Sequence, residues 1–171
     1  MAAASPDAIT HACDSGKMAL PKKVFCWSLA LSLATGGLTM STVQADQGIV
    51  RIRSQHNVPQ TMEKIEQLLN AHDVMIFARI DFSGDAARAG LELRPEQMLI
   101  FGNPKAGTPL MQSIPTVALD LPLKALVWED EQGATWIGYS TPDYIVQRHG
   151  LPASMRNHLS GAVGLLEQAA L

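Results

Sequence analysis

The sequence FGNPKAGTPLM, residues 101–111, brings together the end of an apolar strand, a tight turn and the start of a helix. An apolar run over residues 97–102 leads into it and predicts a buried strand. Gly, Asn and Pro then provide turn chemistry, and a helix is expected at about Pro109 to Ser113. The stretch therefore predicts a strand-to-helix joint in a domain that mixes α and β structure.

Two chemical roles are open for this joint. Backbone N–H groups at a helix start, with the charge of Lys105 and a hydrogen bond from Asn103 or Thr108, suit a small anion. The joint is not a P-loop, because its glycines are spaced more closely and no Lys-Ser/Thr pair closes it. In the alternative role, Asn103 bonds nearby backbone, Pro104 fixes φ and Thr108 caps the helix.

Strand and helix patterns extend on both sides of the joint. Strands are predicted at residues 48–54, 73–82, 97–102, 125–129 and 135–139. Helices are predicted at about 57–71, 85–90, 109–113, 141–149 and 151–171. Because both faces of 73–82 are apolar, that strand is expected at the centre of the sheet. Five strands with a hairpin near the C-terminus predict an α+β fold rather than a doubly wound sheet.

The first 45 residues have the pattern of a secretory signal peptide. Lys22 and Lys23 form a basic segment, and residues 24–40 are apolar or small without any charge. Val43-Gln44-Ala45 then places small residues at the two positions that signal peptidase reads. We expect cleavage after Ala45 and a periplasmic or secreted domain at 46–171. A retained membrane anchor is the alternative.

Composition narrows the class of this domain further. Translation starts at either Met1 or Met18, and both cysteines, Cys13 and Cys26, lie before the expected cleavage point. The domain therefore has no disulfide, cysteine nucleophile or cysteine metal site. Its 126 residues suffice for one modest core. They include 10 Lys and Arg against 14 Asp and Glu, which argues against a nucleic-acid binder. No membrane association is expected after cleavage.

A set of short motifs runs along this domain: ARID (78–81), GLELRP (90–95), FGNP with GTPLM (101–111), DLPL (120–123), and VWED (127–130) with Gly133, Trp136 and Tyr139. In this order they resemble the bacterial and archaeal family called domain of unknown function 302, over about residues 50–150. The resemblance implies a single compact α+β domain with an antiparallel-rich sheet of about five strands, helices packed on one face, and a homodimer. It implies no established activity. Phe82 stands where family members often carry a histidine, so a site that depends on that histidine is not expected.

Two aspartates are the candidates for catalytic chemistry. Asp81 ends a strand and Asp120 precedes Leu-Pro; paired carboxylates act as acid and base, or bind a hard cation, if folding brings them together. Each alternatively caps a helix or accepts loop N–H groups. The acidic run 129–131 suits a solvated hairpin tip. No nucleophile elbow occurs, and no metal-binding spacing relates His56, His72, His149 and His158.

We therefore expect an exported small-ligand-binding or accessory domain with no catalytic motif, metal or cofactor. Its pocket is expected near Asp81, Asn103, Lys105, Thr108 and Asp120, with a small anion as ligand. One alternative is a small hydrolase or isomerase using Asp81 and Asp120, with Lys105 stabilising an anion; carboxyl groups more than roughly 10 Å apart exclude it. Another is a structural interaction protein, which predicts an apolar exposed sheet face and no polar pocket.

Overall fold

The computed structural model describes residues 44–171, which form one open antiparallel sheet and five α-helices. The strands are β1 (Gln44–Asp46), β2 (Ile49–Arg53), β3 (Met75–Asp81), β4 (Glu96–Gly102), β5 (Leu123–Glu129) and β6 (Thr135–Ser140). The helices are α1 (Val58–Ala71), α2 (Phe82–Arg88), α3 (Pro104–Ser113), α4 (Pro142–His149) and α5 (Asn157–Ala169). Two 3₁₀ turns, Pro115–Leu119 and Ala153–Arg156, precede β5 and α5. The strand order is β1-β2-β6-β5-β4-β3, and every neighbouring pair is antiparallel.

One face of the sheet carries the hydrophobic core. Alternate residues of the central strands are buried on it, for example Leu99 and Phe101 in β4 and Val127 in β5. Helix α1 packs on β4 and β5 with its apolar side, which includes Met62 and Ile65, and α5 packs against α1. The predicted α+β fold is confirmed, and the short strand β1 extends the five strands that the sequence predicted.

Two helices begin where the sequence marks their caps most clearly. At the start of α1, the Asn57 side chain accepts a hydrogen bond of 3.0 Å from the Gln60 N–H. Helix α4 follows Thr141, whose hydroxyl oxygen accepts from the Tyr144 N–H at 3.1 Å. It ends at Gly150, whose φ of 64° lies in the left-handed region that glycine adopts without strain. Both helices agree with the prediction.

Strand β3 lies at the edge of the sheet, so its prediction as a central strand is wrong. Its ladder with β4 is irregular between Ile76 and Ala78, and Phe77, at this bulge, is 50% exposed. The Phe77 ring lines a cavity at this end of the sheet. Part of the second apolar face of β3 therefore serves that cavity and not a second layer of the core.

Helix α3 begins at Pro104 and not near Pro109, as the sequence predicted. The Asn103 side chain accepts a hydrogen bond of 2.9 Å from the Lys105 N–H, and Pro104 takes the first helical position. Pro109 lies inside the helix, where its missing N–H removes one backbone hydrogen bond. Thr108 is thus a residue of the helix interior, and Asn103 is the cap.

The predicted signal peptide lies almost entirely outside the described residues. Strand β1 begins at Gln44 and pairs with β2, so cleavage after Ala45 would remove two of its three residues. The five longer strands would be untouched by that cleavage. Within residues 44–171, no helix combines the length and apolar character needed to cross a membrane.

Candidate functional site

A cavity of about 580 Å³ opens at the end of the sheet where β4 passes into α3. Its walls come from β3, α3, the segment that leads into β5, and α5. Most lining residues are apolar, among them Val74, Phe77, Ala106, Met111, Leu121, Leu123, Leu159, Ala162 and Leu165. The polar lining residues are His72, Asn103, Thr108, Asn157 and His158. The cavity therefore offers an apolar space with polar groups at a few positions.

Small residues on the two helices keep the walls of the cavity apart. Gly161 of α5 lines it, and a Cβ atom built on this glycine would meet no other atom within 4 Å. Gly107 of α3 also lines it, and a Cβ atom there would first meet the Leu121 side chain at 3.8 Å. Glycine inside a helix costs about 1 kcal/mol relative to alanine. The two glycines therefore leave space for the cavity at the surfaces of α3 and α5.

Asn103 and Thr108, two of the five residues that were expected near a pocket, line the cavity. Lys105 lies between two lining residues, Pro104 and Ala106, but its exposed side chain is not part of the lining. Three of the five predicted site residues thus lie at or beside this cavity.

The backbone at the start of α3 does not offer the free N–H groups that the anion hypothesis requires. The Lys105 N–H donates to the Asn103 side chain at 2.9 Å. The Ala106 and Gly107 N–H groups both donate to the Asn103 carbonyl oxygen, each at 2.9 Å. An anion could reach these donors only by displacing the Asn103 cap.

Asp81 lies away from the cavity and caps α2. Its carboxylate accepts hydrogen bonds from the Gly84 N–H at 3.0 Å and from the Ser83 hydroxyl at 2.7 Å. These bonds, the Gly84 N–H foremost, stabilise the charged form and lower the pKa of Asp81 below its ordinary value. Asp81 therefore has the capping role that the sequence left open as an alternative.

Asp120 belongs to a small polar cluster at the end of α4. One oxygen accepts from Arg148 at 3.1 Å, and the other lies 2.6 Å from His149 Nε2. His149 Nδ1 lies 3.3 Å from the Thr116 hydroxyl. The His149 side chain is only 6% exposed, and none of these side chains lines the cavity. The cluster joins α4 to the first 3₁₀ turn, a role that sequence reasoning missed for His149.

The two aspartates do not share a cleft, so the paired-carboxylate hypothesis lacks its geometry. Asp81 pairs with Gln97 near the start of β4, whereas Asp120 precedes Leu123, the partner of Phe101 near the end of β4. Four residues of strand separate these two positions, which is about 13 Å at 3.3 Å per residue. The two aspartates thus lie toward opposite ends of the sheet, which argues against a paired-carboxylate site.

The acidic hairpin tip is stabilised by hydrogen bonds from within the hairpin. Asp130 accepts from the Gln132 and Ala134 N–H groups and from the Trp136 indole N–H, at 2.9, 2.8 and 2.7 Å. Glu131 lies 3.4 Å from Arg94. Among residues 44–171, no three His, Cys, Asp or Glu side chains are grouped so that they could hold a metal ion.

The family model described as Domain of unknown function DUF302 matches residues 50–166. The crystal structure of an uncharacterized conserved DUF302 protein from Bacillus stearothermophilus is similar, with a TM-score of 0.62 and 18% sequence identity. The alignment covers 72% of this chain and 95% of that chain. At this identity the likeness establishes the fold alone.

Curated relatives match a similar length of this chain. Fluoride-specific ion channel FluC 1 of Brucella suis biovar 1 (strain 1330) is 41% identical over 109 residues, which is 64% of this chain and 43% of that protein. For Fluoride-specific ion channel FluC 2 of Brucella melitensis biotype 1, the identity is 41% over 109 residues and the match covers 40% of that protein. The chain thus spans less than half the length of these relatives.

The motifs and the fold lead to the same family. The order of motifs between residues 78 and 139 predicted it, and the family model covers most of the chain. The similar crystal structure has the same α+β fold and is itself described by the family name. This chain therefore belongs to the family of the domain of unknown function DUF302.

Proposed function

We propose that this chain is an exported ligand-binding domain whose ligand occupies the cavity between the end of the sheet, α3 and α5. The observation that carries this proposal is the cavity itself. Its volume of about 580 Å³ lies within the roughly 300–1,000 Å³ of small-molecule sites. Its lining is predominantly apolar with a few polar groups, as is usual for such sites.

The lining favours a ligand that is mainly apolar with one polar end. The walls from α5 and from the segment before β5 are mainly hydrocarbon, since Leu159, Leu165 and Leu121 line them. Transfer of a ligand's apolar surface from water into this space is favourable by roughly 25 cal/mol per Å². The polar lining groups include Thr108 on α3 and His158 at the start of α5. Lys105, exposed beside the lining, favours an anionic end over a neutral one.

The test fills the cavity from α5 and uses a second glycine of the same helix as control. Gly161→Leu places a side chain in the cavity, whereas Gly164, three residues on, does not line it. A Cβ atom at either glycine meets nothing within 4 Å, so neither change forces a backbone clash. We expect Gly161→Leu to weaken binding of the neutral probe N-phenyl-1-naphthylamine at least about 10-fold, and Gly164→Leu to leave it unchanged.

The charge preference has its own measurement. Lys105→Ala should weaken the anionic probe 1-anilinonaphthalene-8-sulfonate and leave the neutral probe unchanged, because only the anion gains from the ammonium group. Equal probe affinities in wild type, Gly161→Leu and Gly164→Leu would overturn the cavity as binding site. Native mass spectrometry of protein taken from its own cell envelope should show a bound small molecule, which Gly161→Leu should lose.

A second candidate function rests on the curated relatives. Brucella proteins named fluoride-specific ion channels contain a segment 41% identical to this chain, and that segment is 40–43% of their length. The candidate is an accessory domain that acts beside such a channel. Its test is growth in fluoride: a strain without this protein should be more sensitive, and the wild-type chain should restore tolerance. Unchanged sensitivity, together with no channel co-purifying, would count against it.

A further inference from the structure

Within residues 44–171, the face of the sheet opposite the core carries several apolar side chains. Antiparallel neighbours share a face, so the register places Ile80, Met98 and Leu126 side by side there. Trp128 and Trp136 face each other on the same side. All five side chains are only partly buried. We call this surface the open face.

A glycine and a hydrogen bond set the positions of the two indoles on the open face. Gly138 pairs with Leu126 on this face, and a Cβ atom there would lie 2.8 Å from the Trp128 ring. The missing side chain thus lets the Trp128 indole lie across the strand. Trp136 is held in place because its indole N–H donates to Asp130 at 2.7 Å.

One row of side chains across the open face has opposite charges at its two ends. It is therefore complementary in charge to a second copy of the row that runs in the opposite direction. Across β2, β6, β5 and β4 the row is Arg53, Trp136, Trp128 and Glu96, because each pairs directly with the next. A cation stands at one end, an anion at the other, and two indoles lie between them. Neither Arg53 nor Glu96 forms an ion pair within residues 44–171. We call this set the tryptophan row.

We propose that two copies of this chain stack their open faces about a twofold axis that runs parallel to the strands between β5 and β6. Rotation about this axis reverses the order of the strands in the second copy. It leaves each row at the same position along the strands. Arg53 then faces Glu96 of the second copy, and Trp136 faces Trp128 of the second copy. The contact is isologous, so each ion pair and each indole pair occurs twice.

The charges select this axis over the other twofold arrangement. In the other arrangement the twofold axis lies in the interface perpendicular to the strands, and β2 of one copy then lies over β2 of the other. Arg51 and Arg53, both exposed on this face, would then face arginines, and like charges across an interface are costly. Charge complementarity therefore favours the axis along the strands.

The dimensions of stacked sheets allow the proposed pairs. Arg53 and Glu96 stand three strands apart, about 14 Å, so each is about 7 Å from the axis. Stacked sheets cross at about 30°, which displaces side chains at that radius by only about 3.5 Å. Sheets stack about 10 Å apart, and two long side chains reaching toward each other span that gap.

Charge reversal tests the proposal with protein recovered from the envelope, using analytical ultracentrifugation. The wild type should be a dimer. Arg53→Glu and Glu96→Arg should each weaken the dimer at least about 10-fold, since each places like charges opposite one another. The double variant should restore it. Arg156→Glu makes the same change of charge at the second 3₁₀ turn, where Arg156 pairs with Asp143, and should leave the dimer intact.

Tryptophan fluorescence gives a second readout. After Ala45 the sequence contains only two tryptophans, Trp128 and Trp136, and both lie in the row. Dilution of the wild type should shift their emission to the red as the dimer dissociates, while Arg53→Glu should show the shifted spectrum at every concentration. The neutral variant Arg53→Gln replaces the reversal if the latter does not fold. A monomeric wild type, or a dimer unaffected by both reversals, would overturn the proposal.

Discussion

Asp130 organises the hairpin between β5 and β6 through three hydrogen bonds. Its oxygens accept from the Gln132 and Ala134 N–H groups and from the Trp136 indole. The indole bond is the largest cause of a pKa below the ordinary 3.8, followed by the Ala134 N–H. The same carboxylate thus shapes the turn and fixes one of the two indoles of the open face.

Asp130→Asn should lower the Tm at neutral pH. It should also reduce the change of Tm with pH in the acid range. A carboxylate whose folded pKa is depressed stabilises the fold above the unfolded pKa. That contribution is lost as the pH falls below 3.8 toward the lower folded pKa. The measurement is thermal unfolding by circular dichroism between about pH 5 and about pH 2.

Glu131→Gln is the matched control for this prediction. It removes a charge from the same hairpin tip, where Glu131 contacts Arg94 at 3.4 Å. This surface pair should contribute little. If Glu131→Gln alters the acid dependence as much as Asp130→Asn does, the hydrogen bonds of Asp130 are not its cause.

Individual residues were predictable from sequence where their role is local. The caps at Asn57 and Thr141 were predicted because a cap needs only residues up to three positions away. The capping role of Asp81 was left open, since the same residue at a strand end also suits chemistry. For His149 only its place near a helix end was predictable, because its partner Asp120 lies 29 positions away.

At the level of elements, α3 shows how two prolines compete for one helix start. Both Pro104 and Pro109 follow residues that can cap, and the sequence alone favoured the second. The structure uses the first, since the Asn103 side chain bonds the Lys105 N–H at 2.9 Å. Strand β3 was misplaced for a related reason: apolar residues on both faces indicate burial, but not whether a neighbouring strand or a cavity covers them.

Asn103→Ala should destabilise the protein by about 1 kcal/mol, because it removes the N-cap of α3. Asn103→Ser should retain most of the stability, since serine caps about as well as asparagine. Gln112→Ala, an exposed change in the same helix, is the control and should not destabilise. Urea unfolding measures all three. An Asn103→Ala variant as stable as the wild type would show that the cap makes no net contribution.

At the level of the whole molecule, the site depends on which end of the sheet each segment reaches. Asn103 and Thr108 reach the cavity and Asp81 does not, because β3 runs antiparallel to β4 and carries Asp81 to the opposite end. The far wall of the cavity comes from α5, whose residues Leu159 and Gly161 follow Asn103 by more than fifty positions. Local sequence patterns predict helices and strands, but they hold no information on contacts between segments that are distant in the sequence. The fold class was therefore predictable and the cavity was not.

Export remains a prediction that the mature N-terminus decides. Protein recovered from the envelope should begin at Asp46, as intact mass and N-terminal sequencing would record. Ala45→Tyr should block processing, because a bulky residue replaces the small one that signal peptidase reads, whereas Ala45→Gly should still be processed. The processed domain should fold with its five longer strands, since cleavage removes only Gln44 and Ala45 from the edge strand β1. Protein in the cytoplasmic fraction that retains residues before Asp46 would refute export, yet leave the cavity and the open face to be tested independently.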